Sequence, residues 1–92
     1  MEQIKLNFLE GLTERLEDIC QQGKPNGIET TVRRMNELQN YTDSMIRDFK
    51  LLVSEDKNLS LERKEKLNTT YSTEANAILS GIYKKYFNEP LG

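Results

Sequence analysis

The chain has no histidine and no tryptophan, and only one cysteine and two prolines among its 92 residues. Each shortage closes off some chemistry. Without histidine, the usual general base, the usual partner of a nucleophile and the commonest metal ligand are all missing. A single cysteine, Cys20, can make neither an internal disulfide nor a Cys-based zinc site. No glycine-rich loop follows a strand pattern, so no phosphate cradle is visible. No apolar run reaches the roughly 20 residues that a membrane-spanning helix needs. The segment from Met1 to Glu10 is amphipathic and carries acidic residues, unlike a signal peptide. These absences lead to the expectation of a cytoplasmic, non-enzymatic protein that needs no cofactor, no metal and no membrane.

Acidic residues are plentiful but dispersed. Glu10, Glu14 and Asp18 do share one helical face at intervals of four, yet a carboxylate-bridged metal site would also want facing acids and a histidine. They read as mutually repelling acids on a solvated surface. The net charge of −2 is unevenly spread. Residues 1–22 carry five acids against Lys5 and Arg15. Residues 61–88 carry Arg63, Lys64, Lys66, Lys84 and Lys85 against three acids, and the middle is neutral. Opposite charge on the outer segments is expected to set register between them and to add little stability, about 0–1 kcal/mol per exposed pair.

What the chain does have is helical periodicity. Leu, Ile, Val and Phe supply 23 residues, enough for one small core and for one domain. Ile4, Phe8, Leu9, Leu12, Leu16, Ile19 and Cys20 form a stripe that predicts a helix over about 2–22. Gly23 and Pro25 close it. Asn26 with Glu29 fits the capping-box pattern, so a second helix is expected over about 28–53. Along it run Ile28, Val32, Met35, Leu38, Met45, Ile46, Phe49, Leu52 and Val53, a stripe wide enough to touch two neighbours. Ser54 to Ser60 is turn-like, and Ser60 is placed to cap a third helix over about 61–87. That helix carries Leu67, Tyr71, Ala75, Ile78, Ile82 and Tyr86, with Leu79 and Tyr83 beside them, and Asn88-Glu89-Pro90 should end it. The expected fold is all-α: an up-down-up three-helix bundle, 1–92, with a long hairpin made by the second and third helices. The alternative is a long hairpin that dimerises.

Two places carry more apolar surface than such a core can use. Tyr83-Lys84-Lys85-Tyr86-Phe87 puts three aromatics and two lysines into five residues. Either they cap the end of the bundle around Ile28, Val32 and Phe8, or they face a partner, as amphipathic aromatics often do. At the hairpin's far end, Phe49, Leu51, Leu52, Val53, Leu59 and Leu61 cannot all face one neighbour. The partner-binding candidates are therefore Tyr83, Lys84, Tyr86, Phe87, Phe49 and Leu52. They suit a chaperone, adaptor or inhibitor that binds another protein through apolar helix faces, with a homodimer as a further option. A self-assembling structural subunit and a nucleic-acid-associated regulator are the alternatives. The acidic pI and the neutralised Arg33-Arg34 doublet speak against nucleic acid. Cys20 reads as a small buried apolar residue rather than a reactive thiol, since Glu17 and Asp18 are acidic neighbours. The Asn-x-Ser/Thr matches at Asn40, Asn58 and Asn68 read as accidents of composition.

In length and helical plan the chain resembles the small helical-hairpin secreted proteins of the Trp-x-Gly type, but it lacks the tryptophan that defines them. Small secretion chaperones and small helical viral inhibitors have a similar plan, and no motif here singles out either.

Overall fold

A computed structural model describes residues 2–23 and 25–87. It is an all-α, up-down-up bundle of three helices: α1 (Glu2–Cys20), α2 (Gly27–Ser54) and α3 (Leu61–Phe87). The helices pack in every pairwise combination, and α2 with α3 makes the most extensive contact. The molecule is 52 Å long and 19 Å across.

The helix boundaries follow local chemistry. α1 ends two residues before the expected Gln22. There the Gln22 N–H donates to the Ile19 carbonyl at 3.4 Å, a tightened closing turn. Gly23 then takes φ +116°, a backbone state that costs glycine nothing. Asn26 is the N-cap of α2, but its side chain makes no capping bond, so the expected capping box does not form. The motif needs helical backbone immediately after the cap, whereas Gly27 has φ +88°. The first turn is tied instead by Thr30 and Thr31, whose hydroxyls donate to the Asn26 and Gly27 carbonyls. Ser60 does cap α3: its Oγ accepts from the Arg63 N–H at 3.2 Å. The expected stop at Asn88-Glu89-Pro90 lies outside the described residues.

The core is one cluster fed by all three helices. Leu12, Leu16, Leu38, Phe49, Val53, Tyr71 and Ala75 are fully buried. At its centre Phe49 stacks on Tyr71 with ring centroids 4.4 Å apart, and Phe8 meets both rings edge-on at 5.6 and 6.1 Å. Such pairs add about 0.5–1.5 kcal/mol beyond their burial. Thr42 joins this core without a cost in unpaired polarity, because its hydroxyl donates to the Leu38 carbonyl at 2.9 Å.

The helices differ in length, and that difference shapes the surface. α1 has 19 residues against 28 and 27 for α2 and α3, or about 28 Å against about 42 and 40 Å. Contacts between elements locate it along the hairpin. Lys5 pairs with Glu74 at 3.7 Å, Phe8 meets Phe49 and Tyr71, and Glu17 meets Lys85. The hairpin therefore overhangs α1 at the α2–α3 turn, and α2 overhangs it at the opposite end.

Candidate functional site

The six residues singled out from the sequence do not form one surface. Phe49 is fully buried in the aromatic stack, so no partner reaches it in this fold, and the expectation that it contributes to a surface is corrected. Its position in the seam of α2, four residues before Val53, puts it opposite Tyr71 rather than on the rim. Leu52 is 37% exposed, as a surface role requires. Lys84 is exposed as well.

Tyr83, Tyr86 and Phe87 are half-buried, and both tyrosine hydroxyls are hydrogen-bonded. The Tyr83 hydroxyl donates to the Met35 carbonyl of α2 at 3.2 Å, and its ring meets Phe87 edge-on at 5.9 Å. The Tyr86 hydroxyl donates to the Glu17 carboxylate of α1. Lys85 donates to the same carboxylate at 2.9 and 3.2 Å. Three helices are thus fastened at one end by one carboxylate and two phenols. The Tyr86 hydroxyl, then Lys85, hold the Glu17 carboxyl below its ordinary value of 4.5, outweighing the opposing effect of burial. Burial, aided by Asp43, pushes the Tyr83 phenol up. The cluster does cap the bundle end, but not around Phe8, which sits in the aromatic stack with Phe49 and Tyr71. Ile28 remains 85% exposed and Val32 49%. Glu17 had no signal of its own in the sequence. It looked like one more acid among Glu10, Glu14 and Asp18, and only its position beside Leu16 on the inner flank distinguishes it.

The expected charge attraction between the outer helices is partly realised. Glu17 with Lys85 follows the predicted sign, acid on α1 and base on α3, whereas Lys5 with Glu74 reverses it. Cys20 is buried, and burial pushes its thiol up, as an inert core cysteine requires. Among the described residues no group of three His, Cys, Asp or Glu could hold a metal, and no helix is long and apolar enough to cross a membrane.

Exposed large apolar residues lie at both ends of the bundle: Ile28 and Val32 on α2 at one, and Ile4 and Leu6 on α1 with Leu51, Leu52 and Leu61 at the other. Leu51, Leu52 and Leu61 are 60%, 37% and 74% exposed at the overhang near the α2–α3 turn. Leu38, Met45 and Leu52 follow one another on one face of α2 at intervals of seven. That face is sealed at Leu38, half-covered at Met45 and open at Leu52. Beneath the first turn of α1 lies an open groove of about 470 Å³, with Leu67 and Thr70 in it and Glu2, Lys5, Glu62, Arg63 and Lys66 around it. In cross-section the molecule changes there from three helices to two. No family model, no curated protein and no solved structure matches the chain.

Proposed function

We propose that this protein is a small, non-enzymatic helical interaction module that takes an amphipathic helix of a partner protein on the overhang of its α2–α3 hairpin. The observation that carries the reading is the abrupt end of α1. Leu52 continues a sealed face of α2 and is left open, with Leu51 and Leu61 exposed on the same overhang. A partner helix laid end-on to α1 would restore the three-helix cross-section and cover Leu52 of α2 and the groove around Leu67 and Thr70 of α3. Helix-in-groove recognition of this kind reads apolar anchors at i, i+3, i+4 and i+7, with charged residues on the rim. The groove rim carries both signs, Arg63 and Lys66 beside Glu62 and the Lys5–Glu2 pair, which suits a partner helix with mixed charges flanking its apolar stripe. The module suits a chaperone, adaptor or inhibitor, and it places Tyr83, Tyr86 and Phe87 in the scaffold rather than at the contact.

The test is affinity capture from the native host with the parent chain and with Leu52→Glu/Lys66→Glu. Lys66 is exposed and Leu52 is partly so, and the comparison is made with a variant whose helical circular dichroism matches the parent's. A protein retained by the parent and lost by the variant supports the reading. A retained set that is unchanged by the two charges overturns it.

A further inference from the structure

Where the α1–α2 loop enters α2, the chain carries its one Asn-Gly pair, Asn26-Gly27, at the junction of cap and helix. We infer that this pair is a site of spontaneous covalent modification: the backbone nitrogen of Gly27 attacks the side-chain amide of Asn26, and the cap residue converts to aspartate and isoaspartate. Three features of the junction allow it. Asn26 is exposed and its side chain makes no capping hydrogen bond, so the amide carbon is unshielded. Gly27 has no Cβ to obstruct its own nitrogen, and the space where one would stand is open. As the first N–H of α2, that of Gly27 has no acceptor within the helix. The other exposed asparagines lack this combination. Asn58 also lies in a turn, but the branched side chain of Leu59 follows it, and Asn7, Asn36, Asn40 and Asn76 lie inside helices.

The step balances with water alone, and nothing is oxidised or reduced. Gly27 loses its amide proton to solvent, its nitrogen bonds to Cγ of Asn26, and the Cγ–Nδ2 bond breaks as ammonia leaves. Water then opens the resulting five-membered succinimide at either carbonyl. Opening at Cγ gives aspartate; opening at the backbone carbonyl leaves the main chain running through Cγ, which is isoaspartate. Ring closure requires the Gly27 nitrogen and the Asn26 Cβ to come together across the Cα–C bond, whereas ψ 111° at Asn26 holds them apart. The reaction therefore waits on opening of the first turn of α2. That turn lies past the end of α1 and is tied by the Thr30 and Thr31 hydroxyls on the Asn26 and Gly27 carbonyls. Both products place a carboxylate at a hollow that Arg33 and Arg34 also border. Aspartate adds its charge at the positive end of the α2 dipole and steadies the turn. Isoaspartate lengthens the backbone by a methylene and loosens it.

Peptide mapping by mass spectrometry tests the modification, on the full chain held in mildly alkaline buffer, both folded and in urea. In the folded chain the peptide holding Asn26 should gain the mass that separates a hydroxyl from an amino group and split into aspartyl and isoaspartyl forms. Peptides holding Asn36, Asn40, Asn58 and Asn76 should stay unchanged. The reaction should run faster in urea, where ψ is free. Gly27→Ala should slow it there by about tenfold or more, with no fold at stake. Thr30→Val/Thr31→Val, which unties the first turn, should speed it in the folded chain and leave the urea rate unchanged. An Asn26 that stays intact in the folded chain overturns the inference, as does equally fast conversion at the other asparagines. A folded-state rate indifferent to Thr30→Val/Thr31→Val rejects opening of the first turn as the route. None of these readouts involves the groove at the other end of the molecule, so either proposal can fail without the other.

Discussion

Tyr71 is the place to test the account of the core. Its ring is fully buried, stacked on Phe49 and met edge-on by Phe8, while its hydroxyl is buried without a hydrogen-bond partner. An unpaired buried hydroxyl costs about 1–3 kcal/mol in lost hydration. Tyr71→Phe removes that cost and leaves the ring contacts in place. Against the gain stands the loss of the oxygen's dispersion contacts, at about 0.1–0.2 kcal/mol per atom pair, together less than about 1 kcal/mol. The substitution should therefore stabilise the protein by about 1 kcal/mol, which for a domain of this size raises Tm by about 4–8 °C. A second readout is independent of the first. Burial pushes the Tyr71 phenol from 10.0 up to about 12. The folded state then holds a proton that the unfolded chain releases above about pH 10, so stability falls as pH rises from there toward 12. Tyr71→Phe should flatten this alkaline decline. Thermal and urea unfolding at neutral and alkaline pH measure both effects. A Tyr71→Phe protein less stable than the parent by 1 kcal/mol or more would refute the reasoning, because the hydroxyl must then have a partner such as an internal water.

Two further expectations concern α1 and α3. Glu17→Gln removes the carboxylate that ties Tyr86 and Lys85 to α1, so Tm at neutral pH should fall by a few degrees. Because the folded-state pKa of Glu17 lies below 4.5, its stabilisation is present above that pH and lost as pH drops further, so parent and variant melting curves should converge in acid. Gly81 lies exposed within α3 with open space where a Cβ would go, so Gly81→Ala should stabilise by about 0.5–1 kcal/mol in urea titrations.

The helices were legible in the sequence because three- and four-residue spacing of apolar groups, Gly23, Pro25 and Ser60 are local signals. The aromatic centre was half legible. Tyr71 and Phe49 both fall on predicted seams, but nothing in the spacing says that they stack, and Phe49 was equally at home on a surface list. What the sequence could not convey was where a neighbouring helix stops. Ile28 and Val32 continue the periodicity of Leu38 without a break, yet one pair is solvated and the other residue is sealed. Periodicity records which face points inward, whereas burial also needs the reach of α1. Glu17 illustrates the same limit for polar groups. Its partners lie 68 and 69 residues away, and no local pattern links them.

The short first helix also divides the molecule's resistance to opening. Around Phe8, Phe49 and Tyr71 every helix is braced by two others, so backbone amides there should exchange with solvent only when the whole domain unfolds. The first turns of α2 and α3 lie past the ends of α1 and lack that bracing. They can fray and re-form without disturbing the aromatic centre. The proposed partner surface thus falls on a part of the chain that moves at least cost, and a partner there would be read out as slowed exchange in turns that are otherwise among the first to open.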